Sequence, residues 1–231
     1  MKKNKIECDF KSCFLCRLSI KEWIPAIDIN RKTFHFKKGE LIFKEGDKVK
    51  GIYFIYKGTV KVHKKWGDEK ELIVRIAKDG DIVGHRGLGS NTYYPISGTA
   101  LEPTTVCFID LDFFQSTLKV NHEFLYQLMI FFADELQESE RRMRNLAHMP
   151  VKGRVAQALL LLKTKFGINE EGFIDISLSR QDLASFVGAT YETVFRTINE
   201  LTEEGMIETS GKSIYIKNEE KLLRIINQMM L

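Results

Sequence analysis

Seven residues, Leu125, Met129, Phe132, Leu136, Ser139, Met143 and Leu146, recur at alternating spacings of four and three. Six of the seven are apolar, so the stretch is a heptad seam sustained over three repeats. Glu135, Glu138, Glu140, Arg141, Arg142 and Arg144 fill the other faces. Two arrangements satisfy such a helix: packing on its own domain, or a coiled coil with a second copy. The strict 3.5-residue period favours the second. The helix is predicted over Leu118 to His148 and ends at Met149-Pro150, because proline disfavours helical backbone in the residue before it.

The chain reads differently on either side of this helix. From Thr33 to Asp110 it reads as β, with runs at Glu40–Phe43, Gly51–Tyr56, Thr59–His63, Glu71–Ile76, Ile96–Leu101 and Thr105–Ile109. Glycines and short polar clusters separate the runs, which predicts a sandwich or barrel. A short helix is expected ahead of it, over Leu15 to Ile27. Beyond Pro150 a helix is predicted over Val151–Phe166, then a Gly167–Gly172 turn, a strand at Phe173–Ile176, two compact helices and a terminal hairpin.

Several function classes are excluded on composition. The longest uncharged apolar-rich run, Phe124 to Ala133, is about half a bilayer span, so no membrane contact is expected. The N-terminal lysines meet Glu7, Asp9, Lys11 and Arg17 before an apolar region forms, which argues against a secretory signal and for the cytoplasm. No nucleophile–base motif, phosphate loop or metal-hydrolase spacing occurs, and the five histidines are scattered, so the chain is not expected to be an enzyme.

The segment Ser179 to Lys217 is the most informative. Ser179 with Asp182 is a helix start, and Gln181–Phe186 is a short helix. Val187-Gly188-Ala189 is a tight turn, and Thr190 caps a second helix that runs to about Glu204. Met206–Glu208 and Ser213–Ile216 are two strands around Thr209-Ser210-Gly211-Lys212. Together these make a winged helix-turn-helix, whose second helix lies in the major groove of DNA. Glu192 and Arg196, four apart, share one face of that helix. Arginine suits the two acceptors of guanine, and glutamate accepts from cytosine N4. Taken alone such a pair is more often a solvated ion pair; in this setting it reads bases. Arg180, Thr190, Thr193, Ser210 and Lys212 are candidates for the DNA backbone.

Here the chain resembles the CRP/FNR family of bacterial transcription regulators. Gly39-Glu40 through Gly58-Thr59-Val60 and Gly80-Asp81-Ile82-Val83-Gly84 resemble the effector β-roll, and Leu118–His148 resembles the dimerisation helix. Gly188-Ala189-Thr190-Tyr191-Glu192-Thr193-Val194-Phe195-Arg196 resembles the recognition motif, whose glutamate and arginine read bases. Tyr191 and Phe195 depart from the small or basic residues often found there. The resemblance implies an α+β fold: an N-terminal double-stranded β-helix (β-roll or jelly roll), a long dimerisation helix and a C-terminal winged helix-turn-helix. It implies four segments: 1–20, cysteine-containing; 21–117, effector-sensing β-roll; 118–148, dimerisation helix; 149–231, DNA-binding domain. The implied partners are a second copy, a double-stranded DNA operator, RNA polymerase and a small-molecule or redox effector. The rival reading is a cyclic-nucleotide-binding-like regulatory subunit that acts on a protein partner without reading DNA.

The effector is the open part. The cyclic-AMP branch of the family holds its nucleotide with a glutamate after a glycine, and with an arginine and serine about ten residues on. This chain has His85, Pro95 and Ile96 at those places, in a candidate pocket of Gly84, His85, Arg86, Pro95 and Ile96. A phosphate needs a paired cation, so cyclic AMP held in the usual way is not expected. The redox branch holds a [4Fe–4S] cluster on three N-terminal cysteines and one in the β-roll. Cys8, Cys13, Cys16 and Cys107 match in number but not in N-terminal spacing. An iron–sulfur cluster, another metal or haem, and plain thiols with Cys107 in the core remain open readings. Trp23, Phe34 and Phe36 read as packing.

Charge does not itself point to DNA. Residues 1–118 carry a net +6, residues 119–148 a net −1 and residues 149–231 a net −1. The DNA argument therefore rests on where Arg180, Arg196 and Lys212 point.

Overall fold

The computed structural model describes residues 13–67 and 70–228. These form two compact units that part between Leu136 and Gln137, inside one long helix, with Lys70–Ile73 grouped with the second unit. The fold is α+β: a β-sandwich, a long helix and a C-terminal helix-turn-helix. No helix among the described residues is long and apolar enough to cross a membrane.

The sandwich has two four-stranded sheets. One, in the order β1-β8-β3-β6, comprises β1 (Lys32–Phe36), β3 (Gly51–Lys57), β6 (Ile82–Val83) and β8 (Thr104–Asp110). The other, in the order β2-β7-β4-β5, comprises β2 (Leu41–Phe43), β4 (Val60–Trp66), β5 (Lys70–Ala77) and β7 (Ser97–Ala100). The first sheet is covered on both faces. Ile55, Val83 and Val106 share a core with Phe43, Val60, Val62 and Ala100 of the second sheet. Ile52, Phe54, Ile82, Cys107 and Ile109 share another with residues from the helices. This double burial is why β3 and β8 read as continuous apolar runs instead of alternating.

Those helices are α1 (Phe14–Leu18), α2 (Ile24–Asn30), α3 (Leu111–Val120) and the first half of α4 (His122–His148), contributing Leu15, Ile27, Phe114, Phe124 and Leu128. The expected Leu15–Ile27 helix is thus broken, with Lys21–Trp23 as a 3-10 turn and Pro25 in the first turn of α2. Helix also begins earlier than Leu118, because Asp110 caps α3 by accepting from the Phe113 N–H at 3.0 Å. The buried Asn121 interrupts α3 and α4. Its side-chain amide donates to the Thr117 carbonyl at 2.9 Å, and its oxygen accepts from the Ile20 N–H at 2.8 Å.

The second unit holds the rest of α4, α5 (Val151–Phe166), α6 (Arg180–Val187), α7 (Tyr191–Glu203), the hairpin β9 (Ile207–Ser210) and β10 (Ser213–Ile216), and α8 (Glu219–Gln228). Its core gathers Val155, Leu159, Leu183, Val194, Ile198, Leu201, Ile207 and Leu222. Two expectations are corrected. Phe173–Ile176 is not a strand: Asn169 Oδ1 accepts from the Phe173 N–H at 3.0 Å, and only an isolated bridge, Ile168 to Ile174, forms. The hairpin is also not terminal, since α8 follows it and buries Leu222 and Ile226.

Candidate nucleic-acid interface and the first unit

Short polar side chains start the two helices of the helix-turn-helix. Ser179 Oγ accepts from the Asp182 N–H at 2.9 Å, and Thr190 Oγ1 accepts from the Thr193 N–H at 3.3 Å. Gly188 closes α6 with φ +71°, a left-handed conformation that suits glycine. α7 then divides cleanly. Val194, Thr197, Ile198 and Leu201 are buried, while Tyr191, Glu192, Phe195, Arg196 and Asn199 are exposed. Glu192 and Arg196 therefore stand on the solvent face of the first two turns. The Arg196 side chain is 74% exposed and its carboxylate neighbour, 4.0 Å away, is Glu200 and not Glu192.

Arg180 reaches across to the hairpin. Its guanidinium donates to the Gly211 carbonyl at 3.0 Å and the Lys212 carbonyl at 3.4 Å, so it ties the start of α6 to the wing. Burial pushes Arg180 below the usual arginine range, which the neighbouring Tyr191 opposes. Ser210 and Lys212 are exposed at the wing. Thr190 and Thr193 share a hydroxyl–hydroxyl hydrogen bond of 2.8 Å as well as the cap. Two arginines that sequence reasoning missed hold the turn from below. Arg154 donates to the Gly188 carbonyl at 3.1 Å. Arg142 donates to the Phe186 carbonyl at 2.8 Å and lies 4.7 Å over the Phe186 ring. Helix-turn pattern gave no signal for either, because both bonds go to backbone oxygens distant in sequence.

In the first unit the candidate pocket residues lie on two segments. Gly84, at φ +82°, opens a 3-10 turn over His85–Leu88 that faces α4. Pro95 is exposed and its carbonyl accepts from Lys64 Nζ at 3.1 Å, and Ile96 packs in the sandwich core. His85 is buried against the edges of Phe131 and Phe132, at 5.0 and 5.4 Å. Neither ring nitrogen meets hydrogen-bond geometry, and Glu135 Oε2 at 3.9 Å is too far for one. Burial holds the His85 pKa well below the usual histidine value. The cations Arg75 and Arg86 push the same way, against the Ile82 carbonyl.

Around His85 lies a charge network that the sequence did not announce. Glu135 accepts from Arg86 Nη2 at 2.7 Å and lies 3.3 Å from Arg75 Nε. Arg75 also donates to the Ile82 carbonyl at 2.7 Å, pairs with Asp81 at 3.3 Å and lies 5.1 Å over the Phe131 ring. The side chains of Arg75 and Glu135 are only 10% and 19% exposed. Such charges are tolerated in a protein interior because each is paired and hydrogen-bonded.

Cys13 at the start of α1, Cys16 within it and Cys107 in β8 are buried in one core cluster. Strand alternation turns Cys107 toward the helices. Cys8 lies outside the described residues. Among the described residues, no three His, Cys, Asp or Glu side chains are grouped to hold a metal ion. As a donor set, the thiols match the thiolate ligation of iron–sulfur clusters.

Residues 33–121 match the cyclic nucleotide-binding domain family, and residues 153–225 match the Crp-like helix-turn-helix domain. The chain is 32% identical over 201 residues to the cAMP-activated global transcriptional regulator CRP of Pasteurella multocida, covering 83% of this chain and 96% of that one. It is 26% identical over 207 residues to the transcriptional activator protein anr of Pseudomonas aeruginosa, covering 88% and 84%. The fold of FixK2 from Bradyrhizobium japonicum is similar, with a TM-score of 0.76 at 24% identity, covering 84% and 96%. The chain belongs to the CRP/FNR family of transcription regulators, with a cyclic nucleotide-binding-like domain and a Crp-like helix-turn-helix.

Proposed function

We propose that this chain is a homodimeric, sequence-specific regulator whose α7 reads an operator through Glu192 and Arg196, under control of a signal received in the first unit. The observation that carries the reading is the solvent face of α7. Both side chains are placed at the N-terminal end of a helix, where major-groove readers make their base contacts. Thr190, Thr193, Ser210 and Lys212 fix the register on phosphates, and Arg180 does so through the wing it holds. A regulatory subunit that ignores DNA has no use for this face. The test is selection of binding sites from random DNA by the full chain, followed by gel shifts. Arg196→Ala is expected to lose preference at one base pair per half-site; unchanged preference overturns the reading.

The homodimer is supported by the seam on α4. Leu125, Met129, Phe132, Leu136 and Met143 are exposed, at 36% to 61%, an apolar stripe that a second copy would cover. The partner interaction extends to RNA polymerase by family membership. The signal is not cyclic AMP held in the usual way, since Arg86 is paired to Glu135 and Pro95 and Ile96 offer no cation. Operator affinity insensitive to added cyclic AMP is the expected result.

The burial of Cys13, Cys16 and Cys107 in one core cluster, though not grouped there as metal ligands among the described residues, is the observation behind a second statement about the input. Those three, with Cys8, would hold an iron–sulfur cluster, which supplies a redox-active group when bound. The cysteines' own part is to hold that group on thiolates, at the face of the first sheet that the helices cover. Iron and sulfide analysis of anaerobically purified protein tests this, and metal-free protein removes it.

A further inference from the structure

The recognition helix carries two aromatic rings that base reading by Glu192 and Arg196 does not use. Tyr191 and Phe195 are 45% and 46% exposed, on the first two turns of α7. Their rings stack with centroids 6.0 Å apart and an interplanar angle of 13°. At about 100° per residue the pair lies on the same outward arc as Glu192 and Arg196, directly beside them. The buried side of α7 is already filled by Val194, Ile198 and Leu201, so the rings are not displaced core residues.

An exposed aromatic pair on a helix that enters the major groove meets a surface made of hydrogen-bonding atoms and one apolar group. That group is the 5-methyl of thymine. The ring faces offer phenylalanine no donor or acceptor for the other base edges. Stacking fixes both rings in one orientation, so they present a preformed apolar surface of the size a methyl group needs. We propose that Tyr191 and Phe195 select thymine through its methyl group, at base pairs adjoining those read by Glu192 and Arg196. This rests on the base-reading role of α7 and extends it to the identity of neighbouring bases.

The test uses the full chain and an operator obtained by selection from random DNA. Each thymine is replaced in turn by deoxyuridine, which keeps every hydrogen-bonding group and lacks only the methyl. Wild-type protein is expected to bind about fourfold more weakly when the contacted thymine of a half-site is replaced. Phe195→Ala or Tyr191→Ala is expected to bind the thymine and deoxyuridine operators equally, while Phe195→Leu keeps part of the preference. Circular dichroism checks that the variants are folded. Equal wild-type affinity for every deoxyuridine operator overturns the proposal, as does a methyl preference that survives in both alanine variants. Failure of this inference alone leaves Arg196→Ala defective on the same operator. If no operator is selected at all, the base-reading role falls and this proposal with it.

Discussion

Arg196 on α7 has a side chain 74% exposed, with its carboxylate neighbour 4.0 Å away. Arg75 in the first unit is 10% exposed and engages Glu135, Asp81 and the Ile82 carbonyl. The same side chain thus serves two ends. On α7 it stays hydrated and available, because a surface ion pair contributes little and is readily exchanged for a better partner. In the first unit it is committed, because a buried charge is stable only with its partners in place. Substitutions should accordingly damage binding at one end and folding at the other.

The sharpest test of that contrast is Glu135→Ala. It leaves Arg75 and Arg86 without their shared carboxylate and is expected to destabilise the first unit by about 3 kcal/mol, read from urea unfolding. An unchanged unfolding midpoint would break the comparison. Arg196→Ala is next, with a loss of about 1–3 kcal/mol of discrimination at one base pair. Its thermal midpoint should stay near wild type, as expected for an exposed site.

The third test is pH. His85 is faced by Arg75 from β5, by Arg86 from its own turn and by Glu135 from α4, with Asp81 paired to Arg75. Its folded pKa is depressed, so below about pH 6.5 the unfolded chain takes up a proton that the folded chain refuses. Stability is retained above that pH and falls below it, by up to about 1.4 kcal/mol per pH unit. His85→Phe should flatten this slope relative to wild type. The smallest effect is expected for Thr190→Ala, which removes the α7 cap and should cost about 1 kcal/mol in thermal unfolding.

The two ends also differ in how far they could be read in advance. The helix-turn-helix was legible because its signals are local: Ser179 and Thr190 as caps, Gly188 as the turn, and Glu192 with Arg196 four apart. The sandwich was legible as alternating or apolar runs set apart by glycine turns. The seam on α4 was legible as a period, while the break at Asn121 was not, because its cause is a hydrogen bond to Ile20, 101 residues away. The Arg75–Glu135–Arg86 network escaped for the same reason: its members come from β5, α4 and a turn, and no spacing links them. Cys107 could be placed in a strand from sequence, but not on the face that shares a core cluster with Cys13 and Cys16, since β8 is apolar on both sides.

Asn121 has a mechanical consequence. One amide ends α3, precedes the first turn of α4 and holds the backbone of Ile20, four residues after Cys16. A displacement of Ile20 larger than the slack of that bond must either break it or tug on the root of the 27-residue helix. The segment bearing Cys13 and Cys16 is therefore tied to the shaft bearing the seam by this hydrogen bond as well as by Phe14, which packs on Phe124 and Phe131. Asn121→Ala would remove the hydrogen-bonded link and leave the aromatic one, Phe14 against Phe124 and Phe131, in place.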